Sequence, residues 1–237
     1  MNKEEFISEL EKINITLTGE QLEKLEIYKD FLMEYNTHTN LTTIKEENGI
    51  YLKHFYDSLT MSEYIKDNDK VLDIGTGAGF PGMVLAIVHE NSQFVLLDSN
   101  NKKTTFLTQL KEKLNLTNVE IINARAEDYV KYNLEEFDIV TSRAVAELRI
   151  LAELSIPALK INGLFIPLKA NIEEELPLFL EALQVLNGRV LEQKEFFLPI
   201  ENSKRTILLV EHFAKTDTLY PRSYDKILKK PLKNNHK

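Results

Sequence analysis

The chain has 237 residues, and its 29 Lys and Arg against 37 Asp and Glu give a formal net charge of −8 at pH 7. Cysteine is absent, which excludes disulfides, zinc thiolates, iron–sulfur clusters and a cysteine nucleophile. No apolar run approaches the ~18 residues of a membrane-spanning helix, and the first residues lack a signal-peptide core. We therefore expect a metal-free cytoplasmic protein. Its acidic balance argues mildly against a nucleic-acid partner.

Residues 1–66 predict a helical extension packed on the rest of the chain. Phe6 and Leu10 recur at helical spacing, and Thr18 to Gln21 matches a capping box before a second helix. A polar loop containing Asn40 follows.

From Ile50 the chain is again expected to be helical, and this helix carries three polar side chains on one face. His54, Asp57 and Ser58 stand at i, i+3 and i+4. Without an exposed G-x-S-x-G turn they do not predict a hydrolytic triad. They form either a hydrogen-bonded polar stripe or the border of a ligand cleft.

The most informative stretch is a glycine-rich turn between a predicted strand and a predicted helix. Val71 to Ile74 indicates a buried parallel strand, and Pro81 suits the first turn of the helix that follows. Glycines in between let the backbone approach a ligand closely, and a helix N-terminus favours negative groups. The glycines are Gly75, Gly77, Gly79 and Gly82.

Two ligands fit this turn. Gly77, Gly79 and Gly82 match the dinucleotide fingerprint G-x-G-x-x-G, but that motif begins two residues after the strand ends. Read from the strand, the pattern is D-x-G-x-G-x-G, with Asp73 inside it. A carboxylate there would repel a pyrophosphate and attract the ammonium of S-adenosylmethionine. The sequence favours S-adenosylmethionine and leaves NAD as the alternative.

The central region, residues 67–214, alternates strands and helices and predicts an α/β fold with seven strands, of which the last two are antiparallel neighbours. Asp98 ends the second strand about 20 residues after the turn, where a carboxylate can accept both hydroxyls of an adenosine ribose. Arg143 follows the fourth strand, at the edge of the sheet where ligands bind. The predicted strands after the first are 94–98, 119–123, 137–142, 163–167, 190–198 and 206–211, and a helix is expected over 172–186.

The last segment, residues 215–237, is basic and carries interleaved aromatic residues. Such a tail is typical of RNA backbone contacts with base stacking, although a solvated charge run is the commoner meaning of the pattern. Arg222 is its candidate RNA contact.

Several segments in one order resemble the bacterial 16S rRNA guanine-N7 methyltransferases, the glucose-inhibited division protein B (RsmG) family. The tail departs from the family after its third residue, where Ser223 to Lys226 replace a usual glycine and second proline. The resembling segments are Val71 to Gly82, Asn40-Leu41-Thr42, His54 to Leu59, Arg125-Ala126-Glu127, Ser142-Arg143-Ala144, Leu168-Lys169 and Tyr220-Pro221-Arg222.

The resemblance implies a Rossmann-like class I methyltransferase with a seven-stranded, mostly parallel sheet and one antiparallel strand. It implies methyl transfer from S-adenosylmethionine to N7 of one guanosine in the decoding-region loop of 16S rRNA, with naked rRNA, an assembly intermediate and the small ribosomal subunit all open as the substrate. Nothing in the sequence indicates an obligate dimer, so a monomer is expected. A small-molecule methyltransferase and a non-catalytic ribosome-assembly factor remain alternatives. The expected cofactor residues, from the resemblance and the motifs together, are Asp73, Gly75, Gly77, Gly79, Phe80, Asp98, Ala126, Glu127 and Arg143.

Guanine N7 has a free lone pair, so no general base is expected, and catalysis consists mainly of positioning. Arg143 is the candidate positioning residue. The residues expected on the RNA side are Asn40, His54, Ser58, Lys169 and Arg222.

Overall fold

The computed structural model describes residues 1–143 and 146–233 of the chain. Its helices are α1 (Lys3–Lys12), α2 (Gly19–Thr39), α3 (Gly82–Val88), α4 (Asn101–Lys113), α5 (Ala126–Lys131), α6 (Leu148–Ser155), α7 (Leu176–Leu186) and α8 (Tyr224–Lys229). Its strands are β1 (Lys70–Ile74), β2 (Gln93–Asp98), β3 (Val119–Asn123), β4 (Phe137–Arg143), β5 (Leu159–Lys169), β6 (Gly188–Phe197) and β7 (Lys204–His212). Short helical turns cover Glu47–Gly49, Asp57–Leu59, Ser62–Tyr64 and Ile156–Ala158, and Ile50–Tyr56 is a π-helix.

The strands form one sheet in the order β3-β2-β1-β4-β5-β7-β6. Strands β1 to β5 pair in parallel, and β7 pairs antiparallel with both β5 and β6. The expected seven-stranded, mostly parallel sheet with one antiparallel strand is confirmed. The strand order reverses beside β1, between β1 and β4, and this is the position where open α/β sheets bind their ligands.

The sheet is buried on both faces. Successive β1 residues point to opposite sides, so Val71 belongs to one hydrophobic cluster and Leu72 to the other. The first cluster holds α1 to α4, and the second holds α5 to α8. This two-sided burial explains why β1 and β2 have continuous apolar runs.

The N-terminal extension packs directly against the glycine-rich turn. Tyr28 of α2 is fully buried, its ring stacks on Phe80 with centroids 5.3 Å apart, and its hydroxyl donates a hydrogen bond to the Ala78 carbonyl. The first helices therefore fix the turn from the side opposite the sheet. The division of the chain at residues 66 and 214 stays a prediction.

The C-terminal segment is packed on the core as far as the structure describes it. Arg222 donates three hydrogen bonds to the fully buried Glu153 of α6: from its backbone amide to Oε1 at 3.0 Å, from Nε to Oε1 at 2.7 Å and from Nη2 to Oε2 at 2.6 Å. Ile227 and Leu232 are buried in the second cluster. Arg222, Ile227 and Leu232 therefore anchor the tail to the core; residues 234–237 lie outside the described part.

Several element boundaries differ from those expected. Strand β5 begins at Leu159, four residues before the predicted start, because residues 159–162 extend the strand before Gly163. Helix α7 begins at Leu176 rather than Ile172, since residues 173–175 form a turn. Within the described residues, the helices are too short or too polar to span a bilayer.

Candidate active site

A cavity of about 510 Å³ lies at the carboxyl ends of β1 to β4. Its lining residues come from the glycine-rich turn, from the carboxyl ends of the four strands and the segments that follow them, from the π-helix and the loop before it, and from α6 and α8. They are Leu41, Thr42, His54, Ile74, Gly75, Thr76, Gly77, Ala78, Phe80, Leu97, Asp98, Ser99, Lys103, Ala124, Arg125, Ala126, Glu127, Arg143, Ala146, Leu154 and Tyr224. The structure thus brings together seven of the nine expected cofactor residues.

The glycines of the turn divide into two groups. Gly75 and Gly77 have φ of +70° and +64°, which only glycine adopts readily, and they line the cavity. A Cβ on Gly77 would meet nothing closer than the Gly75 carbonyl at 4.0 Å. A Cβ on Gly79 would instead lie 2.5 Å from the Tyr28 hydroxyl. Gly79 therefore packs against α2 and lies outside the residues that line the cavity, and its contact with the cofactor stays a prediction.

Asp73 also lies outside the cavity wall. Its side chain is fully buried beneath the turn, and its Oδ2 accepts a hydrogen bond from the Gly82 amide at 2.8 Å. Burial raises the pKa of this carboxyl to about 6, although Thr76 and the Gly82 amide lower it. Asp73 Oδ2 ties the start of α3 to β1, and the expected contact of this carboxyl with the cofactor ammonium stays a prediction.

The β2 end of the cavity fits a nucleoside. Asp98 accepts hydrogen bonds from the amides of Gly77 at 3.0 Å and Asn100 at 2.8 Å. An ionised carboxylate has about four lone-pair directions, so acceptor capacity remains for ribose hydroxyls. Glu127 lines the same end with its side chain 9% exposed, and the Arg125 guanidinium lies 4.5 Å over the Tyr224 ring. These residues fit the adenosine of S-adenosylmethionine.

The opposite end of the cavity is a tightly bonded cluster around Arg143. Its Nη1 donates to the Lys53 carbonyl at 2.6 Å and to Asp57 at 3.2 Å, and its Nη2 donates to His54 Nδ1 at 3.0 Å. Asp57 also accepts from Arg205 of β7 at 3.0 Å. Two guanidinium groups thus share the Asp57 carboxylate at this end of the cavity.

The geometry determines the protonation of His54. A guanidinium only donates, so His54 Nδ1 accepts from Arg143 and the ring proton sits on Nε2. Burial, and then the positive charge of Arg143, lower the His54 pKa to about 3. The imidazole is therefore neutral at physiological pH. It stacks on Phe80 with centroids 4.0 Å apart, and the Arg143 guanidinium lies 5.1 Å from the same Phe80 ring.

Four of the five residues expected on the RNA side lie outside the cavity wall, and only His54 lines it. Ser58 is fully buried and its hydroxyl donates to the His54 carbonyl. Lys169 is held by Glu175 and the Ala146 carbonyl, and Arg222 by Glu153. The charges of both are paired inside the fold, and the RNA contacts of Ser58, Lys169 and Arg222 stay predictions. Asn40 ends α2 in the left-handed conformation and is exposed; its contact with RNA stays a prediction.

Several cavity residues were missed by the sequence interpretation. Arg125 and Tyr224 come from distant segments and meet only in three dimensions. Thr42 stands two residues after Asn40, and only its contacts in the folded chain show that it reaches the cavity. The Asn36 side-chain amide donates to the Thr42 carbonyl at 2.9 Å, and its oxygen accepts from the Thr42 backbone amide at 3.0 Å. Asn36 thereby holds Thr42 at the cavity.

Comparison with known proteins shows the family to which the chain belongs. The family described as rRNA small subunit methyltransferase G, or GidB, matches residues 21–204. The chain belongs to this family. "Ribosomal RNA small subunit methyltransferase G" of Fusobacterium nucleatum is 46% identical over 97% of this chain and 100% of its own length. The Bacillus subtilis protein of the same name is 42% identical over 98% of this chain and 99% of its own length.

Solved structures of similar fold confirm the architecture alone, since their sequence identities to this chain are low. TYW2 of M. jannaschii, solved in complex with AdoMet, has a TM-score of 0.54 at 18% identity over 65% of this chain and 74% of that one. A SAM-dependent O-methyltransferase of Thermotoga maritima has a TM-score of 0.55 at 18% identity over 78% of this chain and 73% of that one. Membership of the GidB family confirms the expected enzyme class, an S-adenosylmethionine-dependent methyltransferase, over the dinucleotide reading of the turn.

Proposed function

We propose that this protein transfers a methyl group from S-adenosylmethionine to N7 of one guanosine in 16S rRNA, in the decoding-region loop. The observation that carries the proposal is a single cavity with two chemically different ends. Asp98 and Glu127 at one end fit an adenosine, and the Arg143 cluster, in which two guanidinium groups share the Asp57 carboxylate, lies at the other. An RNA segment brings negative charge to the place where that cluster lies.

Bound S-adenosylmethionine supplies a methyl group on a positively charged sulfur. Guanine N7 offers a lone pair without losing a proton, so the chain needs no general base, and its residues act by positioning. The neutral His54 fits this requirement, because its one ring proton, on Nε2, is held by Thr42 and its other ring nitrogen accepts from Arg143.

Arg143 is the positioning residue in this proposal. Three of its five N–H groups are used by Lys53, Asp57 and His54, which fixes the guanidinium plane. Among the described residues, the other two N–H groups have no hydrogen-bond partner and can donate to the RNA or to the cofactor carboxylate. Its side chain is 14% exposed and lines the cavity.

The experiment incubates the protein with radiolabelled S-adenosylmethionine and small subunits that lack the modification, then maps the methylated base by cleavage at N7-methylguanosine. Arg143→Ala is expected to reduce kcat/KM at least a hundredfold, and Arg189→Ala, an exposed arginine of β6 paired with Glu211, serves as the matched control. Label on a different base, on a small molecule only or nowhere would refute the proposal. Retention of wild-type rates by Arg143→Ala would remove Arg143 from the mechanism.

The proposal includes three further properties expected from the sequence. The protein acts in the cytoplasm, works as a monomer and contains no metal. Among residues 1–143 and 146–233, no three His, Cys, Asp or Glu side chains are grouped to hold a metal ion. Light scattering of the purified protein and activity in the presence of EDTA test the last two properties.

A further inference from the structure

The hydroxyl of Thr42 has an unusual position in the hydrogen-bond network of the cavity. The Ile44 amide donates to Thr42 Oγ1 at 3.1 Å, and His54 Nε2 lies 2.9 Å from the same oxygen. Because Arg143 forces the ring proton onto Nε2, His54 is the donor in that second contact. Both hydrogen bonds recorded for this oxygen in the described part of the chain therefore use it as an acceptor.

The consequence is that the Thr42 hydroxyl proton is left for a partner outside the chain. A hydroxyl has one donor and two acceptor lone pairs, and here the two lone pairs are occupied. Thr42 lines the cavity, so a ligand in the cavity meets a hydroxyl that can only donate. Asn36 on α2 fixes the backbone on both sides of this group through its two hydrogen bonds to Thr42.

We propose that the Thr42 hydroxyl donates a hydrogen bond to O6 of the target guanine and thereby selects guanine over adenine. The inference rests on the proposed function. Guanine presents two acceptors, N7 and O6, on one edge, whereas adenine presents N7 and an amino donor. N7 must stay free to receive the methyl group, so O6 is the acceptor that a fixed donor beside it can use. Against adenine, the hydroxyl would face another donor with no lone pair to offer.

The network explains why a threonine suffices for this discrimination. An isolated hydroxyl rotates and can serve as donor or acceptor, so it does not distinguish the two purines. Here two successive hydrogen bonds remove the acceptor role of the Thr42 hydroxyl. Arg143 donates to His54 Nδ1, and His54 therefore donates from Nε2 to Thr42 Oγ1. The neutral state of His54 supports the same direction, since its burial and the nearby guanidinium lower its pKa to about 3.

The test combines a change in the protein with a change in a single atom of the substrate. Small-subunit RNA is prepared by ligation with guanosine, inosine or 2-aminopurine riboside at the target position; inosine keeps O6, and 2-aminopurine lacks it while keeping N7. Wild-type protein is expected to methylate guanosine and inosine at similar kcat/KM and 2-aminopurine roughly tenfold more slowly. Thr42→Val is expected to lose about tenfold on guanosine and nothing on 2-aminopurine, so that the preference for O6 disappears.

Controls separate this role from a structural one. Thr42→Ser keeps the hydroxyl and is expected to keep the O6 preference, and Thr43→Val alters the exposed neighbour without changing it. If Thr42→Val slows guanosine and 2-aminopurine equally, or slows neither, the inference is refuted. If it weakens binding of S-adenosylhomocysteine but not of 5′-methylthioadenosine, the hydroxyl faces the cofactor carboxylate and the inference is also refuted. Failure of the proposed function would look different, because wild-type protein would then leave the target guanosine unmethylated.

Discussion

The buried carboxyl of Asp73 gives a prediction whose size can be worked out from its pKa. Asp73 is fully buried and its pKa is raised to about 6 from an ordinary value of 3.8, because the ionised form loses its hydration. A raised folded-state pKa means that ionised Asp73 opposes folding; this cost is complete above pH 6, decreases as the pH falls from 6 towards 3.8, and is absent below 3.8. Linkage gives a cost of about 3 kcal/mol at pH 7.5 and about 1.6 kcal/mol at pH 5.

The perturbation is Asp73→Asn. An asparagine carbonyl still accepts from the Gly82 amide, which the Asp73 Oδ2 does at 2.8 Å, and the variant carries no ionisable group. We therefore expect wild type to gain about 1.4 kcal/mol of unfolding free energy relative to Asp73→Asn when the pH falls from 7.5 to 5. Urea unfolding of the cofactor-free protein at 25 °C, at pH 7.5, 6 and 5, measures both variants.

Wild type must be compared with Asp73→Asn because His54 lowers the unfolding free energy as the pH falls, which opposes the effect of Asp73. Both proteins contain His54, so its contribution cancels in the difference. If the difference in unfolding free energy between wild type and Asp73→Asn stays constant over this pH range, the buried carboxyl does not titrate as the structure indicates. The same variant tests the original expectation for the cofactor: since Asp73 lies outside the cavity wall, its affinity for S-adenosylmethionine should fall only modestly, and a loss above a hundredfold would contradict the structure.

The other predictions concern the turn, the tail and the imidazole. Gly79→Ala should cost about 3–5 kcal/mol of unfolding free energy, because φ is +101° and the new Cβ meets Tyr28, whereas Gly77→Ala should cost only about 1–2 kcal/mol while weakening S-adenosylmethionine binding; equal losses in urea unfolding would refute the division of the glycines. Arg222→Ala should cost about 3 kcal/mol, because it leaves the buried Glu153 unpaired, and it should expose α8 to limited proteolysis; an unchanged melting temperature would contradict this. His54 has a folded pKa of about 3, below its unfolded value, so its contribution is full above pH 6.5 and is lost as the pH falls. Between pH 7.5 and 5 that loss is about 2 kcal/mol of unfolding free energy, and His54→Gln should remove it. If the unfolding free energies of the two proteins change in parallel with pH, folding does not lower the His54 pKa and the prediction is refuted.

The cofactor side of the site was largely predictable from the sequence, and the RNA side was not. Gly75, Gly77 and Asp98 stand at strand ends within one continuous stretch, where topology alone carries them to the same edge of the sheet. Lys169 and Arg222 have the residue types expected for RNA contacts, but their charges are neutralised by Glu175 and Glu153, which are distant or unremarkable in the sequence. Residue type cannot reveal which charges remain available.

The sequence by itself determined the α/β class, the parallel order of the first strands and the ligand turn, because strand periodicity, glycine spacing and strand-end position are local properties. Only the tertiary structure decided which residues of that turn line the cavity, since Asp73 is two residues from Gly75, and Gly79 two residues from Gly77, yet both are packed in the interior. It also decided the protonation of His54 and the donor role of Thr42, which depend on Arg143, about 90 and 100 residues further along the chain. Such roles come from hydrogen-bond partners that a linear pattern does not bring together.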